Sequence, residues 1–586
     1  MAFLKALLTL ISNQPVIIAG APGTSVQKGD HPLLRLLSAS SGVLVLSTPA
    51  YVSLFVIHLR HSLPSLGAGR VPPDLGYSVG ASPTLQFLQI LCLAYLFTVY
   101  GLTLWNWRRL NLKPRNLAWS AVAVTVMACS LLPADSSDVL EYIGFGRLAA
   151  VYHVSPYLHT YSEFTDHFSP YVTWDEPMPY GPVLLPIFAI AGVVSEHQVL
   201  VAMYVIKFVW LLIHLLNAWL IYRMAKSLAL DPEYALFVFA FNPLVLLEQP
   251  GNGHNDGLLI LCGLLALFAL QRGRDGMAVW LALLCALVKI SGLFWLAGIV
   301  AFLIRQRRGR GLVQGVGASL AGVAFLFTLF PGPTALLNLM NPQWQFSEVS
   351  LHTVLIDWGG ALCRTLNSTW GYDEVFKIDR LIFSALFLGV CGWRLISIRD
   401  FVSLIRELGH VLLILLLGYA VSVYPWYIVW LLPIAALTDS ERLRRTIAVS
   451  SSAVLALYAF PYALVEQAPG HSAWSGLRLG MAFGVPIGFW VLDGIRESRS
   501  PRVGPVSAKM STASAIGATS RSSTHQSRCR GFALWGAECY VARLRRDAAC
   551  HVTAPSSEAD GRDVDSVRRS RRQARWTFSA RGPFGP

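Results

Sequence analysis

Apolar runs close to the length of a membrane span recur along most of this 586-residue chain, at 42–59, 84–105, 117–133, 198–222, 234–248, 256–270, 312–330, 380–398, 408–423, 425–438, 446–465 and 477–493. A helix needs about 20 mostly apolar residues to cross the hydrocarbon core. A water-soluble core able to absorb so many would exceed the roughly 250–300 residues at which soluble domains stop growing. Only 14% of the residues are charged, against about 25% in soluble chains. With 11% aromatic residues, the bulk of the chain is not disordered. These features define an all-α, polytopic integral membrane protein.

Lys and Arg stay on the cytoplasmic side of spans, so the basic loops fix an expected orientation. Placing Arg108/Arg109/Lys113/Arg115, Arg223/Lys226, Arg272/Arg274, Arg305/Arg307/Arg308/Arg310, Arg394/Arg399/Arg406 and Arg442/Arg444/Arg445 inside puts 18 basic residues there and leaves about five outside. The run 277–304, interrupted by Lys289, must then be a hairpin of two short helices turning near that lysine. The run 183–195 must be re-entrant or interfacial. About 14 membrane helices result, with both termini inside and two long outer loops. Loop 134–182 is acidic, with only Arg147 as a cation; loop 331–379 carries Trp344, Trp358 and Trp370. The domain expectation is an N-terminal cytoplasmic segment over 1–41, a membrane domain over 42–493, and a basic disordered cytoplasmic tail over 494–586.

The net charge of +14 resembles a nucleic-acid signal. Its distribution argues otherwise, because residues 499–586 hold 16 Lys and Arg against 6 Asp and Glu. No nucleic-acid partner is expected; the lipid bilayer is. The nine cysteines are scattered, with no C-x-x-C, so neither a zinc site nor a disulfide framework is indicated.

Five places could carry chemistry. Asp135, Asp138 and Glu141 stand at i, i+3 and i+6, a spacing that shares a helix face, and a carboxylate there could serve as general base toward a hydroxyl. Asp135 or Ser136 alternatively suits the N-cap of a short helix over 138–150. Pro177, Pro179 and Pro182 fix a rigid segment around Tyr180. Glycines in Gly251-Asn252-Gly253-His254-Asn255-Asp256 let the backbone approach a ligand closely, and His254 and Asp256 could bind sugar hydroxyls or a phosphate. One His and one Asp do not make a metal site, so no metal or other cofactor is expected. Lys289 could meet a lipid phosphate or snorkel. Tyr424-Pro425-Trp426-Tyr427-Ile428-Val429-Trp430 suits an interfacial belt or a sugar platform.

Taken in order, Ser137-Asp138-Val139-Leu140-Glu141-Tyr142, Ser155-Pro156-Tyr157, Pro179-Tyr180-Gly181-Pro182, Gly253-His254-Asn255-Asp256, Val288-Lys289 and Pro425-Trp426-Tyr427 give a resemblance over about residues 117–440. The sequence resembles the bacterial polyprenol-phosphomannose-dependent mannosyltransferases of the GT-C superfamily, in particular the α-1,6-mannosyltransferases of lipoglycan assembly. Where that family usually reads D-V-Y-S-Y, this chain has Asp138-Val139-Leu140-Glu141-Tyr142, so the middle departs from the pattern. The residue matching the family's catalytic aspartate is Asp138. The resemblance implies an inverting glycosyl transfer at the outer face of the cytoplasmic membrane, from a polyprenyl-phosphate sugar to a glycan or glycolipid acceptor. Asp138 would then be the base, with Asp135 and Glu141 beside it. Lys289 or Arg147 would assist the departing phosphate. Tyr142, Tyr180, His254, Asn255, Asp256, Trp426 and Tyr427 would contact substrate. A transporter or lipid flippase would also show broken helices and intramembrane charge, but the chain has no evident internal repeat and its polar residues gather toward one side. A non-catalytic envelope subunit held by its basic tail is a third reading, at about 1 kcal/mol per basic residue near an anionic surface.

Overall fold

The computed structural model describes residue 37 and residues 41–73, 75, 82–110, 112–329, 349–366, 370–459 and 476–499. The chain divides into two units, Met1–Arg502 and Val503–Pro586, and everything below belongs to the first. Residues 494–499, expected to open the tail, instead complete the helix Val485–Arg499. The rest of that tail, most of the segment 1–41, and Trp344 lie outside the described residues.

Every regular element among the described residues is helical, as a hydrocarbon solvent requires of a chain that must satisfy its own backbone polar groups. Among the described residues five helices are long and apolar enough to cross a membrane: Gly42–Gly67, Pro83–Trp105, Val199–Ser227, Phe401–Tyr419 and Gly476–Glu497. Length and composition do not confirm the expected fourteen among the described residues, because several apolar runs are cut into shorter pieces. The run 425–438 is a chain of three short turns, Pro425–Ile428, Val429–Leu431 and Leu432–Leu437. The run 446–465 falls within Glu441–Ala453 and Leu455–Ala459 up to the last described residue. Loop 331–379 is not all loop: it holds the helix Leu351–Thr365, and the next helix, Tyr372–Ile396, begins eight residues earlier than its apolar run. Asp373 and Glu374 occupy its first turn, where the helix dipole favours carboxylates.

The run 277–304 forms two short helices, Asp275–Ala286 and Leu293–Arg305, packed on each other with an extended Lys289 at the break. The run 183–195 gives Leu185–Val194, ten residues long and too short to cross a bilayer at 1.5 Å per residue.

The runs 234–248 and 256–270 are not two simple spans. Pro243–Gly251, which ends in a π-turn over Leu247–Gly251, and Asp256–Gln271 are bent by 111° to each other. Gly253 takes φ +87° in the break, a left-handed conformation that a side chain would resist. A broken helix frees carbonyls, which must find donors within the protein. The long helix Val199–Ser227 supplies one at the break, where Lys207 Nζ donates to Gly251 O and also to Leu131 O; further along the same helix Asn217 Nδ2 donates to Gly257 O at 2.9 Å, in the first turn beyond the break.

Candidate active site

Asp138 is the first residue of the helix Asp138–Ala150, the boundaries expected from sequence. The stretch before it is held from two neighbouring helices. His58 Nδ1 lies 2.7 Å from Leu132 O, Ser62 Oγ donates to Pro133 O at 2.8 Å, and Gln89 Nε2 donates to Asp135 Oδ1 at 2.6 Å. The Asp138 carboxylate is buried and hydrogen-bonded at both oxygens. Oδ1 accepts from Ser136 Oγ at 2.6 Å, while Oδ2 accepts from Tyr142 OH at 3.1 Å and Tyr180 OH at 3.3 Å. Burial pushes its pKa up from the ordinary value, with the Ser136 hydrogen bond and the Lys289 charge opposing.

The three acids do not share a face, because Asp135 precedes the helix. Asp135 is not an N-cap; the Asp138 N–H is met by Ser136 Oγ at 3.2 Å, and Asp135 Oδ2 instead faces Asn252 Nδ2 at 3.5 Å. Burial raises its pKa to about 6. Glu141 Oε1 accepts from Thr173 N and Oγ1, each at 2.8 Å, and from Trp174 N at 3.3 Å. It anchors the loop ahead of the proline-rich segment, and burial raises its pKa to about 7.

Arg147 is also committed to the loop. Its Nε donates to Tyr161 OH at 2.7 Å, Nη1 donates to Ser195 Oγ at 2.9 Å and pairs with Glu196, and Nη2 meets Asp166 Oδ2 at 2.5 Å. Burial alone would raise the Asp166 pKa, but hydrogen bonds from Tyr152, Arg147 and Tyr161 hold it well below the usual carboxylate range. The structure thus places Arg147 as a tie between the loop and the end of Leu185–Val194. Arg147→Ala leaves the half-buried Asp166 without its cation and removes a buried side chain that ties three groups together; a hydrogen bond to a charged group is worth about 1.5–3 kcal/mol. The expected result is a clearly lower thermal midpoint in detergent; an unchanged midpoint would remove the tie from the account.

Lys289 is the centre of a second group. Its Nζ lies 2.7 Å from Asp256 Oδ1, which also accepts from Trp430 Nε1 at 2.7 Å. The ammonium stands over the rings of Tyr427, Tyr180 and Trp430 at 5.2, 5.4 and 6.0 Å, distances at which ring quadrupoles attract a cation. Tyr180 reaches it because Gly181 N donates to Val288 O at 3.0 Å. A Cβ on Gly181 would overlap the Leu287 carbonyl, so the close approach needs glycine there. Tyr180 therefore stands between the two groups, bonded to Asp138 and beneath Lys289.

Beside them lies the segment 248–256. The His254 ring meets Trp426 edge-on at 4.0 Å, and its Nδ1 is 3.8 Å from Glu248 Oε2. Asn252 Nδ2 donates to that same Glu248 oxygen at 3.1 Å. Glu248 Oε1, both amide atoms of Asn255 and Asp256 Oδ2 are buried without a hydrogen-bond partner among the described residues. Buried polar groups are normally satisfied, so this segment presents hydrogen-bonding capacity for a polyol. Among the described residues no group of three or more His, Cys, Asp or Glu side chains is placed to hold one metal ion.

The sequence reading missed Gln89, Lys207 and Glu248, and held Trp430 only as a member of the aromatic cluster, with no role of its own. Lys207 carried the same signal as Lys289, a lone cation in an apolar run, and Glu248 is the only carboxylate of the run 234–248.

Residues 58–305 match the family described as "Alpha-(1->6)-mannopyranosyltransferase, N-terminal domain", and residues 359–468 match the "MptB C-terminal domain". The chain is 25% identical over 430 residues to Alpha-(1->6)-mannopyranosyltransferase A of Mycobacterium tuberculosis, covering 68% of this chain and 80% of that protein. It is 22% identical over 352 residues to Alpha-(1->6)-mannopyranosyltransferase B of Corynebacterium glutamicum, covering 55% of this chain and 58% of that protein. Asp138 and Lys289 fall in the first matched region, and Trp426, Tyr427 and Trp430 in the second. An all-helical, apolar chain with these relatives is a membrane glycosyltransferase, specifically a mannosyltransferase. It belongs to the alpha-(1->6)-mannopyranosyltransferase family of GT-C type.

Proposed function

We propose that the protein transfers mannose, with inversion, from a polyprenyl-phosphate donor to a hydroxyl of a glycan or glycolipid acceptor at the outer face of the cytoplasmic membrane. The observation that carries this reading is the buried Asp138 carboxylate and the Lys289 ammonium flanking one tyrosine, Tyr180. An inverting displacement needs a base on the acceptor side and positive charge on the phosphate side. The Asp138 carboxylate takes the acceptor proton as the acceptor oxygen bonds the anomeric carbon. The bond from that carbon to the phosphate oxygen breaks, and the polyprenyl phosphate leaves with the electron pair. Lys289 gives one of its three N–H groups to Asp256, which leaves two for phosphate oxygens. Asn255, Asp256, His254 and the Trp426 and Tyr427 rings suit sugar hydroxyls and sugar faces. No metal is assigned a role.

Membranes from cells with and without the protein, given radiolabelled polyprenyl-phosphate mannose, should differ in one lipid or glycan product; identical products would overturn the reading. The outward placement of loop 134–182 is supported by the 18-to-5 split of basic residues. In a cysteine-free background, Thr165→Cys should react with an impermeant thiol reagent in intact cells and Ser511→Cys should not. Equal labelling would overturn the orientation.

A further inference from the structure

Lys207 lies within the long helix Val199–Ser227, is fully buried, and is the only Lys, Arg, Asp or Glu of the run 198–222. A charge at such a position is costly and usually has a task. Among the described residues Lys207 forms no ion pair. Its ammonium donates to two backbone carbonyls, Leu131 O and Gly251 O, and lies 5.6 Å from the ring of Tyr204. Tyr204 in turn donates to Ser130 O at 2.9 Å.

The two carbonyls belong to the two segments that carry the chemistry. Leu131 caps the helix Pro114–Ser130 and leads to Asp135 and Asp138. Gly251 ends the π-turn and leads to Asn252, His254 and Asp256, the last of which holds Lys289. Both are C-terminal ends, where carbonyls concentrate partial negative charge, and a compact ammonium with three donors satisfies both at once. The segments are 120 residues apart in sequence and meet again just beyond the pin. Asn252 Nδ2 lies 3.5 Å from Asp135 Oδ2. The space beside the Gly253 α-carbon is filled by Val139 and by the Lys207 stem.

We infer that Lys207 is a positioning residue for the transfer reaction: one buried ammonium sets the spacing between the segment bearing the base, Asp138, and the segment bearing Asp256 and its partner Lys289. The inference rests on the reading of Asp138 and Lys289 given above. Its chemical content is that Lys207 touches no substrate and acts through the alignment of groups that do. Misplacement of reacting groups by about 1 Å can lower rates about 10²-fold.

The test uses the full-length protein in lipid nanodiscs with polyprenyl-phosphate mannose as donor. Lys207→Met keeps the aliphatic stem and removes the donors. It should lower kcat about 10²-fold while changing the KM for the donor less than about threefold, since donor-contacting groups are still present. The deciding measurement is the same substitution in an Asp138→Asn background. A residue acting through the alignment of the base should there cost less than about threefold, because residues that act as a unit are not additive. An equal fold-loss in both backgrounds, or wild-type kcat in the single variant, would overturn the inference. If the Met variant does not purify in folded form, Lys207→Arg, which keeps the cation and its donors, is carried through the same comparison; failure of both to fold would overturn it too, making Lys207 a folding determinant only. The wild-type control separates the two claims. No mannose transfer by wild type refutes the functional reading, whereas transfer by wild type with a silent Lys207→Met refutes only the positioning role.

Discussion

Asp138→Asn should lower kcat for mannosyl transfer by about 10²–10⁴-fold, the usual contribution of a general base, or about 3–5 kcal/mol in the barrier at roughly 1.4 kcal/mol per tenfold. The substitution is nearly isosteric. The amide oxygen can still accept from Ser136 Oγ, and the hydroxyls of Tyr142 and Tyr180, which now donate to Oδ2, can rotate to accept from the amide nitrogen. The surroundings are thus kept while the capacity to take a proton is lost. Burial raises the Asp138 pKa, and the base works only when deprotonated. The rate kcat/KM should therefore rise with pH through a limb lying above the ordinary aspartate value of about 3.9, and Asp138→Asn should abolish that limb. Asp135→Asn should cost less, but not because it is a cap: Asp135 accepts from Gln89 and faces Asn252, and Asn keeps one such acceptor. A purified, folded Asp138→Asn protein within about tenfold of wild type would refute the assignment and move attention to Asp135 and Glu141.

The parts of this site that were legible in the sequence are those set by local chemistry. Lys289 breaks a 28-residue apolar run, and a cation in that setting marks a turn, which the two short helices around it provide. The helix Asp138–Ala150 follows from its own residues. What could not be read is the satisfaction of broken backbone by distant side chains. The runs 234–248 and 256–270 look like two spans because nothing within them announces a 111° bend. At the bend Lys207, some 40 residues earlier, supplies a donor to the freed Gly251 carbonyl, and Asn217 fastens the first turn beyond it through Gly257 O. Arg147 shows the same limit. As the one cation of an acidic loop it suits a phosphate, yet its partners Asp166, Ser195 and Glu196 lie 19 to 49 positions away, and only the fold brings them to it.

Lys289→Met should raise the KM for the polyprenyl-phosphate donor about 10–100-fold. A hydrogen bond to a charged group is worth about 1.5–3 kcal/mol, and each 1.4 kcal/mol is tenfold in affinity. The substitution also strips Asp256 of its cation, so a fall in activity alone would not separate a phosphate contact from a collapsed site. Two features of the geometry make the separation feasible. Asp256 Oδ1 keeps the Trp430 Nε1 hydrogen bond, and the Met side chain still fills the space among the Tyr180, Tyr427 and Trp430 rings that now enclose the ammonium. Adding Asp256→Asn removes the orphaned charge. If Lys289 serves the phosphate, the double variant regains stability but not donor affinity, and it loses inhibition by free polyprenyl phosphate, which presents the same headgroup. If Lys289 only neutralises Asp256, the double variant regains both. Donor kinetics unchanged in the single variant would leave Lys289 a structural cation in an aromatic box, and the positive charge that the departing phosphate requires would have to be sought elsewhere in the protein.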